Sequence, residues 1–123
     1  MSLIQINPGS LKGKKLLPPK IDISSNFVDF LSSEFTDSDP QSYFISSNEI
    51  RGDLIIVAPY RFRVSLDGIN WFLFVVIPYS PGGIQNKQIW VKFTQGEFGT
   101  FNKSLVHYTE GNSVGVLVTG ICS

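Results

Sequence analysis

The sequence predicts an all-β protein, an antiparallel β-sandwich, from three observations. About eight short apolar-rich segments of strand length recur between Ile21 and Thr119. Turn-forming groups stand between them: Asp67-Gly68, Ser80-Pro81-Gly82-Gly83 and Glu110-Gly111-Asn112. No segment keeps a helical period over ten residues.

Residues 1–21 show no sustained period. Leu3, Ile4 and Ile6 could form a short strand ended by Pro8-Gly9, and Pro18-Pro19 imposes an extended approach to the body of the chain. This segment is expected to be an arm. Its apolar residues, Leu3, Ile4, Ile6, Leu11, Leu16 and Leu17, are too many for an idle tail and would be better buried against something. Ile21 to Phe30 is the expected first strand of the body, with Phe27 and Phe30 in the core. Leu31 to Gln41 reads as a connection, Ser42 to Ile45 as a second strand and Ser46 to Asp53 as another connection. The unbroken apolar run Leu54 to Ala58 suits a central strand, closed by Pro59.

Pro59 to Phe74 reads as a β-hairpin. Phe62 and Val64 alternate with Arg61, Arg63 and Ser65, Asp67-Gly68 supplies turn chemistry, and Trp71 to Val76 returns. Tyr79 to Asn86 comes next, with a loop signal at Ser80-Pro81-Gly82-Gly83. From Gln88 to Phe93, Ile89, Val91 and Phe93 share one face, with Gln88, Trp90 and Lys92 on the other. Gly96 to Gly99 is a turn, and Thr100 to Tyr108 a strand with Phe101, Leu105 and His107 or their neighbours inward. Val114, Val116 and Val118 alternate through the last strand, which Gly120 is expected to end.

A chain of 123 residues makes one domain, able to hide roughly two-thirds of its unfolded surface on folding. Hydrophobic residues at 42% and aromatics at 13% mark it as globular rather than disordered. Net charge is zero but uneven. Lys12, Lys14, Lys15 and Lys20 make residues 1–20 +4, so the remainder, with 6 basic and 10 acidic residues, is −4. A basic arm on an acidic body implies that the arm has its own partner or docks on a neighbouring copy. The single cysteine, Cys122, excludes an intramolecular disulfide and fits assembly in a reducing cytosol. Pro8 and Gly9 interrupt the N-terminus before signal-peptide length, and the longest apolar run, Trp71 to Pro78, is too short to span a membrane.

The order of motifs resembles the immunoglobulin-like β-sandwich domains of bacterial surface proteins and tailed-phage structural proteins. That pattern runs Ala-Pro, Gly-Phe-x-Val-Ser-x-Asp-Gly, an aromatic return, Gly-Gly, Val-x-Val-x-Phe, a Gly-x-Tyr-x-Gly corner and Val-x-Val-x-Gly. The matching residues here are Ala58-Pro59, Phe62-Arg63-Val64-Ser65-Leu66-Asp67-Gly68, Trp71-Phe72, Gly82-Gly83, Ile89-Trp90-Val91-Lys92-Phe93, Gly99-Thr100-Phe101 and Val116-Leu117-Val118-Thr119-Gly120. The similarity covers about residues 22–121, leaving an arm at 1–21 and an Ig-like domain at 22–123. Tyr60 replaces a Gly, Phe101 a corner Tyr and Lys103 a Gly, and Thr94-Gln95 lacks a proline usual after the Phe. Phe101 cannot make the hydrogen bond of a corner tyrosine.

The residues offer little for catalysis. His107 is the lone histidine, with no nucleophile elbow or oxyanion motif beside it. Glu34, Asp37 and Asp39 lack the Gly and terminal Glu of a Ca²⁺ loop. Arg51-Gly52-Asp53 spells an integrin-recognition tripeptide and reads equally as a turn before a strand. Gly82-Gly83 is no phosphate loop. Arg61, Arg63 and Lys92 could share outward faces, but an acidic body is a poor nucleic-acid binder. Of the aromatics Tyr60, Trp71, Tyr79 and Trp90, Trp71 suits the core and Trp90 a surface interface.

These readings lead to an expected non-enzymatic virion structural protein without cofactor or metal. The resemblance implies an auxiliary (decoration) capsid protein, of a crAss-like phage, made in the host cytoplasm. The arm would grip the shell through Leu3, Ile4, Ile6, Lys12, Lys14, Lys15, Leu16, Leu17 and Lys20. Expected partners are a major capsid protein or another virion protein and copies of the chain itself, with no nucleic acid or membrane. The alternative is an Ig-like adhesion or carbohydrate-binding module on a bacterial surface, with a host-surface glycan at Trp90. An enzyme accessory domain is a third.

Overall fold

A computed structural model describes residues 18–123, and the arm residues 1–17 lie outside it. Among the described residues there are nine strands and no helix. They are β1 (Asp22–Ser24), β2 (Phe30–Ser32), β3 (Gln41–Ser47), β4 (Leu54–Val57), β5 (Phe62–Ser65), β6 (Phe74–Ile77), β7 (Ile84–Phe93), β8 (Gly99–Thr109) and β9 (Asn112–Cys122). Two sheets face each other. Sheet A has the order β1-β3-β7-β5 and sheet B the order β2-β9-β8-β4-β6. All pairings are antiparallel except β2 with β9. The all-β sandwich expected from the sequence is therefore present.

The chain changes sheet at each connection from β1 to β8, and only β8–β9 is a hairpin within one sheet. This corrects two sequence readings. The expected first strand, Ile21 to Phe30, is two short strands in different sheets, with Phe30 in the core and Phe27 packed partly against it. The expected hairpin of Pro59 to Phe74 also divides. β5 pairs with β7 in sheet A, whereas β6 pairs with β4 in sheet B. Only the bridge between Val64 and Phe72 survives, with reciprocal backbone hydrogen bonds of 2.9 Å.

The turn itself is built by side chains. The Asp67 carboxylate accepts from the backbone N–H groups of Ile69 and Asn70 at 2.8 Å each, while Ser65 Oγ accepts from the N–H of Gly68 at 2.8 Å. Gly68 takes φ +76°, but Asp67 is not left-handed, so this is no two-residue I′ turn. These Asx-type bonds turn the chain without committing it to a ladder, which frees it to cross. The N–H groups of Asn70 and Ile69, with the Asn70 and Ser65 side chains, hold the Asp67 carboxyl well below its usual range.

Alternation places Ile89, Val91 and Phe93 in the core as expected, with Leu54, Ile56, Phe62, Val64, Leu105 and Val118. An aromatic chain runs through it, from Phe27 to Phe30, Phe62, Phe93 and Phe101, with centroid separations of 5.0–5.6 Å. Gly120 does not end the last strand. It lies buried within β9, where an added Cβ would sit 2.5 Å from the Phe93 ring, so the sheet runs on because glycine lets that ring lie against the backbone.

Candidate interaction surfaces

Of the proposed arm residues, Leu3, Ile4, Ile6, Lys12, Lys14, Lys15, Leu16 and Leu17 lie outside the described residues. Lys20 is exposed and 3.7 Å from the Asp22 carboxylate. Next to it, Pro19 and Ile21 are buried. The Pro19 carbonyl accepts a 2.7 Å hydrogen bond from Asn112 Nδ2, and a Cβ on Gly111 would lie 3.1 Å from the Pro19 ring. The N-terminal segment therefore meets the body at the tip of the β8–β9 hairpin.

Trp90 sits half-buried on the outer face of β7. The Gly68 turn lies on its indole, where a glycine Cβ would come within 3.3 Å. Trp71, expected in the core, is half-exposed at the end of the Asp67 turn, one residue before the Phe72 bridge to β5. Its ring carries the Lys92 ammonium 4.7 Å from the centroid. Lys92 also reaches Asp37 at 2.8 Å. Burial raises the Asp37 pKa, but Lys92, the Gln95 N–H and Arg63 together outweigh it and hold the carboxyl below its usual value. Asp39 is exposed, and no cluster of metal-ligating side chains occurs among the described residues. Asp53 of Arg51-Gly52-Asp53 accepts from the N–H of Tyr79 at 2.8 Å, which fixes that segment as a structural turn before β4.

His107 is fully buried. Its Nδ1 donates to the Val114 carbonyl at 3.1 Å, so Nε2 is the acceptor for the Tyr43 hydroxyl at 2.5 Å. Burial lowers the imidazole pKa and raises that of the phenol, keeping both groups neutral. A neutral, doubly bonded imidazole in a core is a structural tie between the sheets.

Arg61 breaks the expected alternation most strongly. It is 8% exposed and has φ +73°, at the third position of a turn closed by Phe62 N–H to Pro59 C=O at 2.9 Å. Its guanidinium carbon is 4.8 Å from both the Phe93 and the Phe101 centroids. Nη1 and Nη2 donate to the carbonyls of Glu97 and Thr94 at 3.0 and 2.9 Å. The arginine plugs the end of the sandwich, against the Phe101 that replaces a corner tyrosine. Strand alternation could not reveal this, because Arg61 lies in the turn before β5.

The largest feature missed by sequence reasoning is the outer face of sheet B. Its outward positions are Leu31 in β2, Ile55 and Val57 in β4, and Phe74 and Val76 in β6. In β8 they are Thr100, Asn102, Ser104, Val106 and Tyr108, and in β9 Ser113, Gly115, Leu117, Thr119 and Ile121. None is charged. Register lines up Val76, Ile55, Tyr108 and Ser113 in one row and Phe74, Val57, Val106 and Gly115 in the next. Phe74, Tyr108 and Leu117 are 57%, 42% and 67% exposed, while Ile55, Val57, Val76, Val106 and Ile121 between and beside them are half-buried. A signal existed: Leu54 to Val57 and Phe72 to Ile77 are apolar at both parities, although only one face of a sandwich strand meets the core.

The chain matches no protein-family model and no curated protein. Among solved structures it is similar to the ASH/PapD-like domain of human CEP192 (PapD-like domain 7). The TM-score is 0.50 at 12% identity, covering 89% of both chains. An engineered protein aligns over 85% of this chain and 20% of its own, at 10% identity and a TM-score of 0.33, too low to bear on the fold. The first likeness, together with the two sheets and the absence of helix among the described residues, defines the fold class: an all-β, immunoglobulin-like sandwich.

Proposed function

We propose that this chain is a non-enzymatic structural protein of a phage particle, an auxiliary capsid protein anchored to the shell through its N-terminal arm. The supporting observation is the junction between arm and body. Residues 1–20 carry +4 and the remainder −4, and the junction is fastened to the β8–β9 hairpin through Pro19 and Asn112. Fastening at Pro19 leaves residues 1–17, a span of up to roughly 60 Å when extended, to reach a neighbouring subunit. Six apolar residues and three lysines in that stretch (Leu3, Ile4, Ile6, Leu11, Leu16, Leu17; Lys12, Lys14, Lys15) suit a groove with acidic margins on a capsid subunit.

The test is deletion of residues 1–17, which keeps Pro19 and Ile21 in place. The truncated body is expected to keep its unfolding midpoint and to lose binding to shells of the encoding virus that have been stripped of this protein. Full occupancy of those shells by the truncated body would defeat the arm reading.

A further inference from the structure

We infer that the outer face of sheet B is a contact between two copies of this chain, paired about a two-fold axis that runs between Gly115 and Leu117. Three observations meet here. First, the fifteen outward positions of this face contain no charged residue, whereas Asp22, Arg63 and Lys92 lie in sheet A. Self-pairing of this face therefore sets no like charges against each other. The same property disfavours the +4 N-terminal segment as its cover, since the face offers that segment no acid.

Second, Gly115 has no folding reason to be glycine. Its φ is not left-handed, and an added Cβ would meet only Ser104, with the Cβ at an ordinary 3.7 Å. Glycine inside a strand costs roughly 0.5–1 kcal/mol relative to alanine, and it marks places where another chain approaches closely. Leu117 stands two positions along β9 and is 67% exposed. A two-fold axis between these residues puts the Leu117 of each copy over the Gly115 of the other, ridge into hollow.

Third, the face is large enough. Two strands of 11 residues, two of four and one of three, at about 3.4 Å per residue and about 4.8 Å spacing, give on the order of 500 Å² of flat face before side-chain relief is counted, and two such faces reach the roughly 1,000 Å² total that a specific contact needs. A standard interface covers about 800 Å² per partner. Phe74, Tyr108 and Val106 add aromatic and aliphatic anchors around the axis.

Sedimentation velocity of the full chain, from about 1 to about 100 µM, is expected to show a monomer–dimer equilibrium. Gly115→Arg should weaken it by about a hundredfold or more without lowering the thermal midpoint. Gly115→Ala, whose methyl has room, should fold normally and weaken it several-fold, which decides the matter if the arginine variant misfolds. Phe44→Arg, on the outer face of sheet A, should leave the dimer intact. The inference is overturned if the full chain stays monomeric at the highest concentration, if Gly115→Ala self-associates as tightly as the parent, or if Phe44→Arg breaks the dimer instead. It is equally overturned if only the 1–17 deletion dimerises, since the N-terminal segment would then be the cover. Shell binding by the Gly115 variants is a separate readout and tests the arm.

Discussion

At the scale of single residues, stability turns on two buried polar groups. His107 and Tyr43 are neutral and hydrogen-bonded to each other across the sheets. The folded-state pKa of His107 is depressed, so below its ordinary value, about 6.5, the unfolded chain takes up the extra proton. This contribution is present above that pH and is lost as pH falls. Tyr43 is shifted the other way by burial. Its contribution is present below its ordinary value, about 10, and is lost as pH rises through that value and beyond. Urea denaturation across pH should therefore give a plateau between about 6.5 and 10, with a further acid loss below about 4 from the depressed Asp37 and Asp67. Tyr43→Phe strands the buried Nε2 acceptor and should cost about 1–3 kcal/mol on that plateau. Arg61 behaves as a fastener of different chemistry. Lysine cannot reproduce the planar stack on Phe93 and Phe101 together with the two-pronged donation to Thr94 and Glu97. Arg61→Lys is thus expected to cost about 1–3 kcal/mol by the same measurement, and an unchanged midpoint would show that the stack carries no stability.

Among elements, the decisive event is the departure of the chain from sheet A after Ser65. Local chemistry asks for a turn there and obtains one through Asp67 and Ser65, but the return segment goes on to pair with β4 in sheet B. Val75 and Ile77 enter the core from sheet B, leaving the single bridge at Phe72 as the remnant of a hairpin. The same layer-to-layer logic explains Gly120. Phe93 on β7 and Gly120 on β9 belong to facing sheets, and the ring occupies the space a side chain would need. Gly120→Ala should therefore overpack the core and lower stability by about 1–3 kcal/mol, whereas Gly115→Ala on the same strand should not. Thermal unfolding of the pair separates a glycine needed by the core from one suited to a surface.

For the whole molecule, the body presents two unlike surfaces. The outer face of sheet A is charged, with Lys92 bridging Trp71 and Asp37. The outer face of sheet B carries no charged residue and is apolar at most of its positions, and the N-terminal segment meets the body at the hairpin tip of that sheet. In the proposed reading, the self-contact of sheet B and the N-terminal arm would be two separate attachments. The dimer and arm variants test each attachment separately.

Much of the fold was legible because it rests on local patterns. Ile89, Val91 and Phe93 alternate along one strand, and Glu110-Gly111 turns two long ones, so periodicity alone identifies these elements and their inward faces. The sequence by itself determined an all-β chain without a disulfide, the strands from β3 onward to within a few residues, most of the core, and a lysine-rich N-terminus opposed to an acidic body. Only the tertiary structure decided which sheet each strand joins, that Arg61 is a buried plug, that Trp71 lies outside the core, and that the spare apolar positions of β4, β6, β8 and β9 form one continuous face. The physical reason is range. Strand alternation and turn chemistry act over two to four neighbouring residues, whereas partner choice and the joining of side chains across strands depend on contacts far apart in the chain, as Tyr43 with His107 and Phe93 with Gly120 show.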